Sequence, residues 1–279
     1  MERAHYPPDQ RSTLMQVAVV QTDIVWEDKP ASHAHVDALL KDAAIEPGGL
    51  IVLPEYFSTG FSLNVPVTND DPNRASWTYM SHTARRCGAH VIGCITTTGS
   101  HDRGRNEAIV FNSEGQEITR YSKTHPFSHG DEDKHIEPGD ELVTFACGGF
   151  MAAPFICYDL RFPEIFRAVT RQGAQLLVVM ANWPEGRQAH WTALLKARAI
   201  ENQAYVVAAN RCGSDPNLNY VGGSIVVDPH GDLLADAGAH ACVITADIDP
   251  QVVADWRATF PVLDDMRPEF LPDAPVNVR

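Results

Sequence analysis

Three residues of this chain can do covalent chemistry together: a cysteine that ends one apolar run, a glutamate that ends another, and a lysine just past a third. The run that starts at Phe150 ends in Cys157, and a helix-like pattern, Pro163-Glu164-Ile165-Phe166-Arg167-Ala168-Val169, opens a few residues later. A thiol at such a strand-turn-helix corner feels the N–H groups and partial positive charge of the helix start, which favour the thiolate. Backbone N–H groups at the corner, that of Tyr158 among them, are placed to receive an oxyanion. Taken alone, the stretch fits Cys157 equally well as a small buried hydrophobe.

Glu55 follows Leu50-Ile51-Val52-Leu53-Pro54, and Lys123 follows Glu117-Ile118-Thr119-Arg120-Tyr121. Each alone reads as a solvated loop charge. In an open α/β sheet, however, loops converge at the carboxyl ends of strands, so residues distant in sequence meet there. A carboxylate can take the thiol proton, an ammonium can hold the oxyanion of a tetrahedral intermediate, and the thiolate can attack a carbonyl or nitrile carbon.

The elements that must position these residues are legible as periodicity. Gln16-Val17-Ala18-Val19-Val20-Gln21, a helix-like segment over 31–44 and the strand at 50–55 give the order strand, helix, strand. A helix over 73–86 leads to a strand at 90–96, and strands at 107–111 and 117–121 flank Asn112-Ser113-Glu114-Gly115-Gln116 as a hairpin. A polar loop over 124–141 has a length that marks function or mobility. Beyond Cys157, residues 175–181 form an apolar strand of the doubly buried kind, 189–202 the clearest helix, and 204–209 the next strand. A second hairpin joins 223–227 to 233–235 across Asp228-Pro229-His230-Gly231-Asp232, and 242–248 is the last strand. With no linker and no repeat, residues 14–279 read as one α/β domain, with 1–13 a mobile lead-in.

Composition narrows the function classes. A formal net charge of -14 and the lack of a Lys/Arg cluster argue against nucleic acid or an anionic membrane as partner. Six scattered cysteines in 279 residues, with no C-x-x-C pair, read as reduced thiols of a cytoplasmic protein. The N-terminus lacks the apolar core of a signal peptide, and no apolar run approaches membrane-spanning length.

Three ordered motifs carry a resemblance: Leu53-Pro54-Glu55-Tyr56-Phe57, Tyr121-Ser122-Lys123-Thr124-His125-Pro126-Phe127, and Cys157-Tyr158-Asp159-Leu160-Arg161-Phe162-Pro163. Over about 17–248 the chain resembles the nitrilase, or carbon–nitrogen hydrolase, superfamily. The resemblance implies a four-layer α-β-β-α sandwich, usually assembled into homodimers or larger homo-oligomers. It implies Glu55 as general base, Lys123 as oxyanion stabiliser and proton relay, and Cys157 as nucleophile. The family also has a glutamate six residues before a Pro-Gly, and Glu132 precedes Pro138-Gly139 by that spacing. By resemblance Glu132 orients Lys123; as part of the run Asp131-Glu132-Asp133 it fits a solvated loop. His129, Asp131, Asp133 and His135 match no zinc spacing, and a covalent cysteine mechanism needs no metal, so neither metal nor other cofactor is expected.

The downstream half resembles the omega-amidases that act on 2-oxoglutaramate: Ala181-Asn182-Trp183-Pro184, Arg187, His190-Trp191, the stretch Ala197-Arg198-Ala199-Ile200-Glu201-Asn202, and Asn210-Arg211 followed by Gly213-Ser214-Asp215. A keto-acid amide carries a carboxylate opposite its amide, which calls for a fixed guanidinium. Arg161 and Arg187 are the candidates, each with the alternative of a structural pairing to Asp159 or Glu185. Tyr56, Tyr158, Asn182 and Trp183 complete the expected substrate-binding set, Trp183 as an aromatic wall or as plain core. Rival readings are the same machinery on a nitrile, an N-carbamoyl amine or another aliphatic amide, a catalytically silent binding scaffold, and a metallohydrolase using the loop histidines. The presence of Glu55, Lys123, Cys157 and Glu132 together disfavours the silent scaffold.

Overall fold

The computed structural model describes residues 14–270 and 275–278, and the expected lead-in at 1–13 lies outside them. Six strands come first: β1 (Met15–Gln21), β2 (Leu50–Val52), β3 (His90–Thr98), β4 (Gly104–Phe111), β5 (Glu117–Ser122) and β6 (Ile136–Glu137). Next come β7 (Leu142–Cys147), β8 (Phe150–Ile156), β9 (Leu176–Ala181), β10 (Tyr205–Asn210), β11 (Cys212–Ser214), β12 (Asn219–Val221), β13 (Ile225–Val227), β14 (Leu233–Asp236), β15 (Cys242–Ile248) and β16 (Val276–Val278). One sheet runs β15-β1-β2-β3-β4-β5 with β6 beside β4, and a second runs β14-β13-β10-β9-β8-β7-β16.

Alternation along the strands decides which side chains meet across the sandwich. Val17 and Val19 of β1 share a face with Val52 of β2 and Cys94 of β3, and the Cys94 sulfur lies 3.6 Å from that of Met180 on β9, so this core lies between the sheets. Ala18 and Val20, one residue out of phase, pack instead with Val36, Leu40, Met80 and Ala84 of the helices Lys29–Lys41 and Ala75–Cys87. On the second sheet, Phe166 of helix Pro163–Arg171 and Trp191, Leu195 and Ala199 of helix Gln188–Asn202 are buried with the strands. The layers are therefore helices, sheet, sheet, helices.

The central pairs β1–β2, β2–β3, β8–β9 and β9–β10 are parallel. Parallel pairs send consecutive strand ends to one edge, and that is what brings residues 55, 157 and 182 together. Helix starts are specified locally: Asp28 accepts from the Ala31 N–H at 3.0 Å ahead of Pro30, and Asp249 from the Gln251 N–H at 2.9 Å ahead of Pro250.

Several elements depart from the sequence reading. The polar stretch 124–141 contains a helical turn, Glu132–His135, and β6. The helix Pro250–Thr259, the short hairpin β11–β12 and the strand β16 were not anticipated. The two β elements are three residues per strand, too short to show a period, and the helix buries only Val253, so it lacks an apolar stripe.

Candidate active site

Glu55 enters the site two residues beyond Leu53, whose N–H still bonds to the Ile92 carbonyl of β3 at 2.9 Å. The turn that follows starts at Tyr56, held at φ 46, and its carbonyl accepts from the N–H groups of Thr59 and Gly60. Lys123 leaves β5 with its N–H on the Asn106 carbonyl at 2.9 Å, and its own carbonyl accepts from the Gly139 N–H at 2.8 Å. A side chain at position 139 would collide with the Ser122 carbonyl, so Pro138-Gly139 is a close backbone approach that keeps this contact possible. Cys157 sits at φ 47, in the left-handed region disfavoured for a residue with a β-carbon, and opens a short 3-10 turn, Cys157–Arg161.

The buried charges form one network. Lys123 Nζ donates to Glu55 Oε1 at 2.9 Å and to Glu132 Oε2 at 2.7 Å, and all three side chains are fully buried. Glu132 also accepts from the Phe127 N–H at 2.6 Å and the Tyr56 hydroxyl at 3.1 Å. The Glu55 carboxylate accepts from the Asn182 N–H at 2.8 Å, and Asn182 Nδ2 donates to the Glu55 carbonyl at 2.7 Å. Glu132 thus differs from its acidic neighbours: Asp131 is exposed and pairs with Lys134.

Burial opposes the Lys123 ammonium, but Glu132 and Glu55 outweigh it and hold the group well above its ordinary value. The Cys157 thiol moves the other way from the expected thiolate. Burial, Glu55 and Glu132 push it well above the usual thiol range, and Lys123 opposes them without prevailing. These influences favour the neutral Cys157 thiol over the thiolate. The desolvation of Cys157 and two facing carboxylates exceed what a short turn and one lysine supply.

A second buried carboxylate fixes the relation between lysine and cysteine. Asp159 accepts from the Ile156 N–H at 3.0 Å, beside Cys157, and from Tyr121 and Thr124 hydroxyls at 2.8 and 3.0 Å, on either side of Lys123. The His125 N–H donates to it as well, at 3.0 Å. With these bonds Asp159 is spoken for, and it does not pair with Arg161.

The cavity beside Cys157 is walled by Phe61, Phe127, Tyr158, Trp183 and Tyr220, with Asn182 also at its lining. Arg161 and Arg187 line it too. The Arg161 guanidinium lies 4.6 Å over the Trp183 ring and that of Arg187 lies 5.3 Å over Phe127. Burial and the neighbouring Arg187 hold Arg161 below its ordinary value. Among the described residues neither arginine is in an ion pair, so the alternative pairings to Asp159 and Glu185 are not formed. Trp183 is fixed by its indole N–H on the Arg187 carbonyl at 2.8 Å and by its own N–H on Asn210 Oδ1 at 2.7 Å.

The sequence-derived residues are placed unequally. Glu55, Lys123, Cys157 and Glu132 converge, and Tyr158, Arg161, Asn182, Trp183 and Arg187 line the cavity. Tyr56 does not line it: its ring is fully buried and its hydroxyl is turned to Glu132. Asn106 and Asp159 as site members were missed. A cysteine-tyrosine-aspartate turn could have drawn attention to Asp159, whereas Asn106 lies inside β4 and gives no signal. Among the described residues no group of three or more His, Cys, Asp or Glu is gathered as metal ligands, and His129, Asp131, Asp133 and His135 do not converge.

The carbon-nitrogen hydrolase family model matches residues 16–258. The chain belongs to the carbon–nitrogen hydrolase family. It is 34% identical over 255 residues to the 2-oxoglutaramate amidase of Bacillus subtilis, covering 91% of this chain and 98% of that one. It is 37% identical over 259 residues to omega-amidase YafV of Escherichia coli, covering 90% and 96%. Among solved structures, a CN-hydrolase superfamily protein from Xanthomonas campestris with an arsenic adduct in its active site superposes with a TM-score of 0.84 at 32% identity, over 93% of this chain and 99% of that one. As a carbon–nitrogen hydrolase the chain is a hydrolytic enzyme with the four-layer sandwich already described. Among the described residues no helix is long and apolar enough to cross a membrane.

Proposed function

We propose that this carbon–nitrogen hydrolase cleaves the omega-amide of a dicarboxylic keto-acid monoamide, 2-oxoglutaramate or 2-oxosuccinamate, to the acid and ammonia. The observation that carries this is the pair of guanidinium groups, Arg161 and Arg187, free of carboxylate partners in a cavity that ends at Cys157. A guanidinium binds a carboxylate through two parallel hydrogen bonds, and two of them oppose each other until an anion lies between. The relatives named 2-oxoglutaramate amidase and omega-amidase support the same class.

The reaction follows from the buried charges. Glu55 takes the proton of the neutral Cys157 thiol as the sulfur attacks the amide carbon, and the oxyanion is held by Lys123 and the Tyr158 N–H. Glu55 returns its proton to the amide nitrogen, the carbon–nitrogen bond breaks, ammonia leaves and a thioester remains. Water gives a proton to Glu55 and attacks the thioester, and collapse of that second intermediate restores the acid product, the thiol and the Glu55 carboxylate. Glu132 has a separate part: while Glu55 is protonated, Glu132 still holds Lys123 as ammonium. The aromatic walls exclude bulk water from the thioester. The family's oligomeric habit and six unpaired cysteines support a homo-oligomeric cytoplasmic enzyme.

Ammonia release is to be measured from 2-oxoglutaramate beside asparagine, glutamine, a simple nitrile and an N-carbamoyl amine, with wild type and Cys157→Ala. The expected result is turnover of the keto-acid amide far above the rest and none by the variant. Preference for another substrate overturns the keto-acid assignment, and turnover by Cys157→Ala overturns the mechanism.

A further inference from the structure

The two carboxylates of the network share a second donor besides Lys123. Asn106 is fully buried in β4, opposite Thr96 of β3. Its Nδ2 donates one hydrogen to Glu55 Oε1 at 2.8 Å and the other to Glu132 Oε1 at 3.2 Å. Nδ2 is the donor end of the amide and faces an acceptor oxygen of each carboxylate. Its other end is left without a partner: Asn106 Oδ1 is buried and makes no hydrogen bond.

Two carboxylates within reach of one nitrogen are close neighbours, and buried like charges at short range tend to keep a proton between them. Lys123 compensates only one of the two charges. An amide adds two N–H donors, one for each carboxylate, without adding a titrating group. The other groups facing Glu55 are Cys157 from the end of β8, Cys94 from β3 and Tyr56 from its own turn; burial foremost, and the Glu55 carboxylate with it, push all three upward, and Glu132 adds to this for Cys157 and Tyr56. Of these only Tyr56 relieves the pair, through its hydroxyl on Glu132 Oε1; the N–H groups of Phe127 and Asn182 each serve one carboxylate, and besides Lys123 only Asn106 serves both. Asp159 is engaged by Tyr121, Thr124 and His125.

We propose that Asn106 is a positioning residue that keeps Glu55 and Glu132 ionised together, so that Glu55 is ready to take the thiol proton at neutral pH. The inference rests on the hydrolase reading above and adds to it the group that sets the acid limb of the reaction. With Asn106 replaced by an apolar side chain of similar shape, the pair keeps its proton to higher pH than in wild type, and over that interval the base is occupied. A role in packing alone lowers the rate equally at every pH.

The test is the pH profile of kcat/KM for Asn106→Leu and Asn106→Ser beside wild type, with thermal unfolding recorded for each. In Asn106→Leu the acid limb moves up by about one unit, so the rate below the limb falls about tenfold more than on the plateau. Asn106→Ser, able to serve one carboxylate, moves it in the same direction by less. A limb that stays in place under a uniformly lower plateau overturns the proposal, and if Asn106→Leu does not fold, Asn106→Ser decides by the same criterion. The pH dependence of Cys157 alkylation by iodoacetamide reads the same proton on the Glu55–Cys157 pair without any substrate. An upward shift there sustains the proposal even if no keto-acid amide is turned over, and an unmoved limb there sinks it.

Discussion

The floor and the mouth of the site are both lined with charge and are built on opposite terms. On the floor, Lys123, Glu55 and Glu132 are fully buried and every carboxylate oxygen has a donor within 3.2 Å. At the mouth, Arg161 and Arg187 rest on aromatic faces, and no carboxylate answers them among the described residues. A saturated buried network has one geometry and cannot adapt without large cost, as a chemical step requires. Unanswered cations over rings have their best partner still to come, as recognition requires. On the proposed function, the difference gives chemistry to one region and selection to the other.

The largest effect separates the two on stability. Lys123→Met leaves two buried carboxylates facing each other, so turnover is expected to fall by at least about 10²- to 10³-fold and stability by about 3–5 kcal/mol. Denaturant unfolding and single-turnover rates measure both. A variant as stable as wild type would mean that the floor is not the strained, coupled network described here. Arg161→Ala and Arg187→Ala, by contrast, are expected to raise KM for the keto-acid amide about 10- to 100-fold with kcat and stability nearly unchanged. An uncharged aliphatic amide should show no such change, and equal losses on both substrates would erase the distinction between mouth and floor.

A third expectation concerns what backs the floor. His33 Nε2 contacts Ser76 Oγ at 3.2 Å, and Ser76 Oγ donates to Ser58 Oγ at 2.9 Å in the turn after Glu55. Burial lowers His33 from 6.5 to about 4, against Asp70 and Asp37. A depressed folded-state value means the unfolded chain binds the extra proton first. Stability is therefore whole above pH 6.5 and is lost as pH falls toward about 4. The melting temperature should decline across that window, and His33→Phe, which can keep the stack on Tyr79 at 4.2 Å, should flatten the decline. An identical decline in the variant removes His33 from the explanation. The smallest effect belongs to the mouth: Trp183→Phe loses the indole bond to Arg187 and weakens the face under Arg161, for a change in KM of about 2- to 5-fold.

The contrast also explains which parts of the site were legible in the sequence. Glu55, Lys123 and Cys157 stand where apolar runs stop, so their type and position advertise them, and the succession of strands along the chain follows from the same runs. Glu132 was legible through its spacing to Pro138-Gly139 and not through its own acidic surroundings. Asn106 was not legible, because it precedes the apolar run read as a strand at 107–111, and only the longer β4 and the packing of the second sheet make its position an interior one. Tyr56 was read as a cavity wall because it neighbours Glu55, but a positive φ turns its ring inward to Glu132. The thiolate expected at Cys157 fails for a related reason. Local sequence shows the helix start beside a thiol, but not the burial or the two carboxylates that three-dimensional assembly sets against it.

The contact between the Lys123 carbonyl and the Gly139 N–H closes residues 123–139 into a ring tied at its neck. In the language of chain lengths, Glu132 is delivered to Lys123 by a tether of set contour that begins and ends at the lysine's own backbone. Insertions elsewhere on the surface, as in the Asn112–Gln116 turn, leave that contour alone. One residue added between 124 and 131 changes the length of the arm and offers the wrong side chain to the ammonium. Length variation in this enzyme's relatives is thus expected to fall outside the ring, and a constant length inside it would record a distance that evolution could not let drift.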